Sequence, residues 1–552
     1  MQAEPDYQCL SDLVHWLARR FDEKPAFGHL GASISFADLE RLSRRFAAWV
    51  QHETHLQPGD RIALQLPNLM QYPVVLFGAR RAGLVVVNTS PMHTDDELVR
   101  QLRDSGARML VSTAYIQPST QRALEQTELE YLVTTEVGDL HPAPKRWLLN
   151  LGVRSRRLGV KRMLKPLLSR LPFSVSSLDE VMQRGAQLIW QPPDVPERWA
   201  NLALLQYTGG TTGPAKGAML SEQALLANLS QVGELLDVVS AEGAERLLQP
   251  LPLYHIYSFM LTLVMMSRGA YTELVPDPRK VRLLVKAWDR VEPTVLAGIN
   301  PLFIHLCQQP EFQRLDFSGL KLTISGGMAL TRSVASRWQQ VTDNQICEGY
   351  GLTECSPVVS VNRPDAIRLG TVGQPVPGTH VRVVDESGNA LPAGESGRIQ
   401  VAGPQLMQGY WHQPEESRAV MVDGYLDTGD IGFLDASGHL KIIDRLKEII
   451  NVSGFNVYPS ELEDVIACHP DILECAAVGL PDSCTGEQIK LYVVSANPRL
   501  SIKQVREYCR ERLTAYKVPK SVEFCKRLPR TAVGKVCRRQ LRERAGLPIA
   551  RD

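Results

Sequence analysis

The feature that most constrains the fold of this chain is an alternation of short apolar runs with amphipathic stretches of helical length, which continues to about residue 440. The apolar run at residues 61–66, for example, is followed by a stretch with helical periodicity at residues 72–81. Alternation of this kind is typical of strands whose sheets are covered by helices. We therefore predict an α/β fold for this part of the chain.

The sequence changes character twice towards its C-terminus. From about residue 381, short strand-like runs alternate with turn sequences such as D-A-S-G at residues 435–438, which indicates a β-rich subdomain. Beyond residue 447 follows a mixed segment of strands and helices that is large enough to be a separate lobe. We predict a large N-terminal domain at residues 1–444, built of layered α/β subdomains and the β-rich subdomain, and a small, mobile α+β C-terminal lobe at residues 445–552.

Composition excludes several classes of function. The chain of 552 residues carries 61 Lys and Arg residues against 60 Asp and Glu residues. This balance gives no overall field to attract nucleic acid, so we predict no nucleic-acid partner. The 10 cysteines form no C-x-x-C pair, which disfavours a disulfide framework and a structural zinc site. The N-terminus lacks a signal-peptide pattern and the apolar stretch at residues 259–266 is too short to cross a bilayer, so we predict a cytoplasmic protein.

Residues 145–170 depart from this charge balance. The segment carries nine basic residues and no acidic one, with leucines at irregular helical spacing. One interpretation is a basic amphipathic element on an anionic surface, which would make the protein peripheral on the inner face of the membrane. The other is a solvated surface insertion, which the imperfect apolar periodicity favours.

The sharpest local signal is the sequence Y-T-G-G-T-T-G-P-A-K-G at residues 207–217, which follows a strand-like run and precedes a helical pattern that opens at Ser221. Its glycines permit a close backbone approach to a ligand, while threonine hydroxyls and a lysine ammonium supply hydrogen-bond donors. The segment is therefore suited to hold phosphate groups. It is not a Walker A loop, because alanine precedes the lysine and glycine follows it. A plain flexible turn is the alternative interpretation.

Three further motifs are weaker indications of function when each is taken alone. The sequence E-G-Y-G-L-T-E at residues 348–354 offers an aromatic ring that could stack on a base and a carboxylate that suits Mg²⁺. G-Y-L-D-T-G-D at residues 424–430, followed by Arg445, offers a carboxylate and a guanidinium to a ribose diol. L-P-R-T-A-V-G-K at residues 528–535 ends in a lysine after a glycine. For the first, a surface turn with a solvated glutamate is the alternative interpretation. Taken alone, the second indicates an Asp/Gly turn and the third a solvated loop lysine.

Together, and in this order, the four motifs resemble those of the ANL superfamily of adenylate-forming enzymes, and the resemblance covers nearly the whole chain. Five phrases are most similar to bacterial long-chain fatty acid:CoA ligases: Y-T-G-G-T-T-G from residue 207, P-L-Y-H-I from 252, E-G-Y-G-L-T-E-C from 348, V-S-G-F-N-V-Y-P from 452 and Y-K-V-P-K from 516. The resemblance implies an enzyme that uses ATP to convert a medium- or long-chain fatty acid to an acyl-adenylate. The acyl group then passes to CoA, and pyrophosphate and AMP are released.

The resemblance also assigns roles to residues. Lys535 matches the catalytic lysine, which bridges the attacking carboxylate and the α-phosphate, and Thr211 and Glu354 match catalytic ligands of Mg²⁺. Such cations are needed because a carboxylate that attacks an anionic phosphate meets charge repulsion. The residues that match ATP- or AMP-binding positions are Thr208, Gly209, Gly210, Thr211, Thr212, Gly213, Lys216, Gly327, Gly349, Tyr350, Gly351, Thr353, Asp430 and Arg445.

Further assignments concern the lobe movement and the acyl group. Lys447 matches a hinge about which the C-terminal lobe turns between the two half-reactions, and Gly454 and Phe455 match the CoA-binding region. His255 is expected to orient the carboxylate, although a lone histidine among aromatic residues is more often a packed core residue. Many relatives are dimers, so a homodimer is a further expectation. The segment that matches the acyl-pocket entrance comprises Tyr254, His255, Ile256 and Tyr257.

Two departures from the family pattern leave alternatives open. The phosphate loop reads P-A at residues 214–215 where many members have another residue and then proline, and S-G-G-M at residues 325–328 replaces a run of three glycines. The second departure bears mostly on chain-length preference. The alternatives are a ligase for an aryl or aryl-propenoic acid, loading onto a carrier protein, and an inactive lipid-binding relative at the membrane. The last is disfavoured by the presence of Lys535, Glu354, Asp430 and Arg445.

Overall fold

The computed structural model describes residues 7–115, 118–156, 172–194, 202–208, 215–482, 484–531 and 535–546, with only the backbone described for residues 118 and 154–156. The sequence assigned nucleotide binding to five residues of the phosphate loop, and metal binding also to one of them, Thr211. All five lie outside the described residues. They are Gly209, Gly210, Thr211, Thr212 and Gly213.

The first part of the chain alternates strands and helices. Capping boxes start several of the helices; at α2, for example, the Ser35 side chain accepts from the Asp38 backbone while the Asp38 side chain accepts from the Ser35 backbone. The elements are α1 Leu10–Phe21, β1 Pro25–His29, β2 Ala32–Ser35, α2 Phe36–Glu53, β3 Arg61–Gln65, α3 Gln71–Arg81, β4 Val85–Asn88, α4 Asp95–Ser105, β5 Ala107–Thr113, α5 Pro118–Leu124, β6 Tyr131–Thr135, α6 Lys145–Arg156, β7 Ser174–Ser177, α7 Leu178–Gly185, β8 Leu202–Tyr207, β9 Gly217–Ser221 and α8 Glu222–Leu236.

The alternation continues to residue 375. The elements are β10 Arg246–Gln249, α9 Ile256–Ser267, β11 Tyr271–Leu274, α10 Val281–Val291, β12 Val295–Gly298, α11 Asn300–Cys307, α12 Pro310–Gln313, β13 Leu322–Ser325, α13 Arg332–Thr342, β14 Ile346–Gly351, a 3-10 turn Thr353–Cys355, β15 Val358–Val361 and β16 Gln374–Pro375. The apolar run at residues 259–266 lies within α9 and is buried on all sides, because this helix packs inside the molecule rather than on its surface.

The first two sheets are mostly parallel and share one hydrophobic core. One sheet has the strand order β7-β6-β5-β3-β4-β8-β9, and the other has the order β16-β15-β14-β13-β12-β10-β11-β1-β2. Strands such as β4 are buried along their whole length, as expected for parallel strands covered on both faces. These sheets confirm the predicted α/β fold. One detail differs: β9 lies between the phosphate loop and helix α8, antiparallel to β8.

The remaining chain forms a β-rich sheet and a separate lobe. The antiparallel sheet contains β17 His380–Val384, β18 Gly397–Ala402, β19 Met421–Val422, β20 Tyr425–Leu434 and β21 Leu440–Arg445, with α14 Pro414–Val420 before β19. A 3-10 turn, Leu446–Glu448, leads into the lobe. The lobe contains β22 Ile450–Val452, β23 Phe455–Val457, α15 Pro459–Ile466, β24 Ile472–Asp482, β25 Gly486–Ser495, α16 Ile502–Arg512, a 3-10 turn Ala515–Lys517, β26 Ser521–Phe524 and α17 Arg538–Arg544.

The C-terminal lobe has its own hydrophobic core. Two clusters of buried apolar side chains, which include Leu462 and Leu491, lie on the faces of its mixed sheet and contain no residue of the first two sheets. This is the α+β arrangement that the sequence predicts. Among the helices of the described residues, none combines the length and the apolarity needed to span a bilayer.

Candidate active site

Three neighbouring parallel strands of the nine-stranded sheet end around one pocket. The chain that follows β10, β12 and β13 forms its floor, the start of α9 forms one wall, and the C-terminal lobe contributes a lysine. Carboxyl ends of parallel strands are the usual place for ligands in α/β proteins. The residues that line the pocket are Leu251, Pro252, His255, Tyr257, Ser258, Ile299, Gly326, Gly327, Met328 and Lys535.

Among the described residues, Lys535 is the one that the C-terminal lobe contributes to this lining. Its backbone N–H donates to the Thr531 hydroxyl over 3.2 Å, which helps to hold the end of the loop that carries it. Desolvation in the pocket and the charge of Arg445 lower the pKa of Lys535, while Asp430 and Glu354 oppose that change. Part of the residue stays exposed, and the residue lines the pocket.

His255 lies opposite, as the N-cap of α9. Its Nδ1 accepts the backbone N–H of Tyr257 over 3.3 Å, so the proton of a neutral ring is on Nε2. Burial lowers the pKa of His255 to about 3, and the nearby charge of Lys535 acts in the same direction. The imidazole is therefore uncharged at neutral pH and has one N–H to donate. His255 lines the pocket, and its role in orienting the carboxylate stays a prediction.

Asp430 and Arg445 are fifteen residues apart in sequence but face each other on the hairpin of β20 and β21. Arg445 Nε lies 3.0 Å from Asp430 Oδ1, and the Tyr350 hydroxyl donates to the other carboxylate oxygen. Asp430 is only 3% exposed, and burial raises its pKa while Arg445 and the Tyr350 hydrogen bond lower it. Two of the predicted motifs thus meet at a single carboxylate, in strands rather than in surface turns.

Glu354 is held by a tyrosine that sequence reasoning missed. The Tyr410 hydroxyl donates to Glu354 Oε1 over 2.7 Å, and the ammonium of Lys216 lies 5.3 Å from the centre of the Tyr410 ring. Lys216 also pairs with Glu416 at 2.5 Å. Tyr410 therefore connects the phosphate-loop lysine to Glu354. Neither Tyr410 nor Glu416 belongs to a motif that marks it, because their role follows from tertiary packing.

Backbone geometry explains two of the glycines that the sequence assigned to nucleotide binding. A Cβ on Gly351 would lie 2.1 Å from the Pro357 carbonyl oxygen, and Gly327 has a φ of +78°. The Thr208 N–H donates to the Lys216 carbonyl over 2.9 Å and closes the base of the phosphate loop. Gly349 lies in β14, and Thr353 begins the 3-10 turn that carries Glu354.

The donor set suits magnesium that is carried in by a triphosphate. Within the described part of the chain, no cluster of three or more His, Cys, Asp or Glu side chains could hold a metal on its own. The Glu354 carboxylate accepts from Tyr410, whose ring lies near the Lys216 ammonium, and the Glu416 carboxylate pairs with that ammonium. Mg²⁺ is commonly bound by one or two protein oxygens together with substrate phosphates and water, so the residues present fit this cation as a partner of the nucleotide.

Several predicted residues lie apart from the pocket. Lys447 is in the 3-10 turn between the sheet and the lobe. Gly454, with a φ of +85°, lies in the turn of the hairpin β22–β23, and Phe455 is the first residue of β23. The Phe455 ring stacks on Tyr516 at a centroid distance of 4.7 Å. None of these residues is in the pocket lining in this arrangement of the lobe. Tyr254 and Ile256 flank His255, and Ile256 is buried.

Comparison with known proteins gives the family. The AMP-binding enzyme family matches residues 14–411, and the C-terminal domain of AMP-binding enzymes matches residues 461–535. A long-chain-fatty-acid–CoA ligase of Salmonella typhimurium is 42% identical over 99% of this chain and 96% of its own length. A feruloyl-CoA synthase of an Amycolatopsis species is 31% identical over 97% and 99% of the two chains.

A solved structure supports the same assignment. The ATP-bound structure of MatB from Rhodopseudomonas palustris has a TM-score of 0.79 and 28% identity, and it covers 97% of this chain and 98% of that one. The family match spans most of the chain, and the relatives match it from end to end. The chain therefore belongs to the AMP-binding enzymes, the ANL superfamily of adenylate-forming enzymes.

Proposed function

We propose that this chain is an ATP-dependent ligase that converts a medium- or long-chain fatty acid, ATP and CoA to acyl-CoA, AMP and pyrophosphate. The observation that carries the proposal is the pocket in which Lys535 of the C-terminal lobe and the neutral His255 come together. Such a pocket pairs one cation with one uncharged donor, which is what a carboxylate needs when it approaches an anionic phosphate.

In the first half-reaction, a carboxylate oxygen of the fatty acid forms a bond to the α-phosphorus as the bond to pyrophosphate breaks. We assign to Lys535 the position between the carboxylate and the α-phosphate, where its positive charge offsets the repulsion of two anions. His255 donates Nε2–H to the carboxylate and orients it. Because this imidazole is neutral, it does not compete with Lys535 for the negative charge.

The nucleotide lies, in this proposal, along the glycine-containing backbone of β14 and against the hairpin of β20 and β21. Asp430 accepts the ribose hydroxyls, and Arg445 and Tyr350 hold that carboxylate in place through the contacts that they make with it. The phosphate loop cradles the β- and γ-phosphates, and Lys216 exchanges Glu416 for them. Gly327, Gly349, Gly351 and Thr353 contribute to the wall around adenine and the α-phosphate.

Magnesium is assigned to Glu354 and Thr211. When bound, the cation neutralises charge on the phosphates that leave as pyrophosphate. Tyr410 supports this assignment, because its hydrogen bond fixes one oxygen of Glu354 and so orients the carboxylate from behind.

In the second half-reaction, the CoA thiol attacks the acyl carbonyl and AMP leaves. Lys535 occupies the side of the pocket that CoA must reach, so we propose that the lobe turns about Lys447 and brings Gly454 and Phe455 to the site. We place the boundary between the two domains at residues 444 and 445. The separate core of the C-terminal lobe supports this proposal, because a lobe with its own core can turn without unfolding.

The acyl group is proposed to be aliphatic. Helix α9 starts at the pocket and continues with buried, mostly apolar side chains over residues 259–266, so the core next to the pocket is of the kind that surrounds a hydrocarbon chain. The relative named for fatty acids is 42% identical, whereas the relative named for an aryl-propenoic acid is 31% identical.

A substrate panel tests the proposal. AMP formation is measured with and without CoA for octanoate, palmitate, oleate, benzoate and ferulate. We expect CoA-dependent AMP with the aliphatic acids and little with the aromatic acids. Preference for ferulate would favour the aryl alternative. AMP that forms with fatty acid but without need for CoA would indicate another acceptor, and AMP formation or pyrophosphate release that needs no acid would contradict the proposal.

We also propose a location and an assembly for the enzyme: attachment to the periphery of the inner face of a membrane through residues 145–170, and a homodimer. The basic composition of this segment supports the first. Light scattering on the purified protein measures the second, and a monomer at all concentrations would contradict it.

A further inference from the structure

Helix α6 exposes a cluster of large apolar side chains to solvent. The helix covers Lys145–Arg156, and its polar residue Asn150 is among the buried polar side chains of the protein. Trp147, Leu148 and Leu151 are 67%, 66% and 63% exposed. A helix that lies on a water-exposed surface normally does the opposite.

Polar contacts fix this orientation. The Gly138 N–H donates to Asn150 Oδ1 over 2.7 Å, and Asn150 Nδ2 donates to Asp139 Oδ1 over 3.2 Å. Arg146 lies 3.2 Å from Asp179 at the start of α7. Arg146 and Asn150 make these contacts from one side of the helix, so a rotation of α6 that buried Trp147, Leu148 and Leu151 would break them.

The exposed side chains form one continuous face. Positions 147, 148 and 151 lie within about 100° around a helix of 3.6 residues per turn. Among the described residues, no other stretch of five positions carries three exposed large apolar side chains. Tryptophan and leucine next to basic residues are typical of segments that enter the interface of a bilayer.

The charge of the segment specifies the occupant. Residues 145–170 carry nine basic residues and no acidic one, whereas the whole chain is nearly neutral. A protein partner with an apolar groove would not require that bias, but anionic headgroups do. We propose that the Trp147, Leu148 and Leu151 face of α6 inserts into the surface of an anionic lipid bilayer. This inference rests on the proposed membrane attachment and not on the ligase activity.

Vesicle sedimentation of the full chain tests the inference. The probes are vesicles of phosphatidylcholine alone and of phosphatidylcholine mixed with phosphatidylglycerol, at low and at high salt. The wild type is expected to sediment with the mixed vesicles at low salt only. The triple variant Trp147→Ser, Leu148→Ser and Leu151→Ser is expected to lose about tenfold or more in vesicle affinity.

A second triple variant is the control for a general loss of exposed apolar side chains. Ile189, Val238 and Ile502 are exposed apolar residues in other parts of the chain, and their change to serine is expected to leave vesicle affinity unchanged. Thermal unfolding and AMP formation with water-soluble octanoate are measured for both triples. None of the six residues lines the pocket, so the temperature of unfolding and the rate of AMP formation are expected to stay at the wild-type level in both triples. This result separates the inference from the ligase proposal.

A second measurement does not depend on the triple variant. Brominated lipids are expected to quench part of the tryptophan emission of the wild type, and Trp147→Phe, which keeps an apolar side chain, is expected to lose that part. The inference is overturned if the wild type does not bind mixed vesicles, if the triple binds as the wild type does, or if quenching is unchanged in Trp147→Phe. It is also overturned if the triple only converts a dimer to a monomer, since a second copy would then cover the face.

Discussion

Lys535 and His255 are neighbouring ionisable groups whose pKa values respond to different surrounding charges. Both are partly desolvated, and desolvation lowers the pKa of each. Asp430 and Glu354 oppose this change at Lys535, whereas the charge of Lys535 itself adds to it at His255. Nearby carboxylates thus favour the charged form of Lys535, whereas the charge of Lys535 disfavours a second proton on His255.

The first prediction concerns the two half-reactions at this residue. Lys535→Ala is expected to reduce adenylate formation by about 10²–10³-fold, because the cation between two anions is lost. CoA transfer from supplied acyl-adenylate is expected to remain largely intact. Pyrophosphate exchange into ATP measures the first step, and thioester formation measures the second.

The control for this change lies on the same lobe. Lys517 pairs with Glu461 and does not line the pocket, so Lys517→Ala is expected to leave adenylate formation near the wild-type rate. An equal loss of both half-reactions in Lys535→Ala would contradict the assignment of this lysine to adenylation.

At the scale of elements, close strand contacts set the geometry of the nucleotide site. Strand β14 carries Tyr350 to Asp430 on β20, and its last residue, Gly351, lies against the backbone of Pro357 just before β15. The register between β14 and β15 shifts at this point. The glycine is required by the approach of a neighbouring main chain, which leaves no room for a side chain.

The second prediction tests that approach. Gly351→Ala would place a Cβ 2.1 Å from the Pro357 carbonyl oxygen, and we expect the strands to separate at a cost of about 1–3 kcal/mol in the free energy of unfolding. Because Tyr350 is adjacent, KM for ATP is expected to rise as well. Urea unfolding and steady-state kinetics measure the two effects.

Gly319→Ala is the matched control, since no atom lies within 4 Å of the Cβ that it would add. It is expected to leave both stability and KM near the wild-type values. If Gly351→Ala were as stable as the wild type, strands β14 and β15 would have room for the added Cβ, which would contradict this prediction.

At the scale of the whole molecule, buried histidines link stability to pH. His29 lies at the end of β1 and is fully buried. Burial, together with the charges of His141, Arg290 and Lys145, lowers the pKa of His29 to about 3. Since the unfolded chain binds a proton near pH 6.5 and the folded chain does not, the stability is fully present above pH 6.5 and is lost as the pH falls towards 3.

The third prediction follows from this loss of stability at low pH. The free energy of unfolding of the wild type is expected to fall between pH 6.5 and pH 4, and His29→Phe is expected to remove up to about 1.4 kcal/mol per pH unit of that slope. Phenylalanine suits the site because, among the described residues, neither ring nitrogen of His29 has a hydrogen-bond partner. Urea unfolding at a series of pH values measures the slope, and an unchanged slope in the variant would contradict the burial of a neutral His29.

The sequence by itself determined the α/β fold, the α+β lobe at the C-terminus and the family. These properties are local, because periodicity within one element and residue types within one motif can be read without knowing which elements meet. The sequence also placed Lys535, His255 and Asp430 among the candidate residues. Residues 209–214 of the phosphate loop lie outside the described part of the structure, and the roles of all these residues stay predictions.

Only the tertiary structure decided which of these residues act on one another. Strand pairing brings Arg445 to Asp430, packing brings Tyr410 to Glu354, and the position of the lobe brings Lys535 to His255. The periodicity of α6 likewise left open which side faces water, and the polar contacts of Asn150 settle it against the usual rule. The physical reason is the same in each case: long-range packing selects among contacts that a local pattern permits equally.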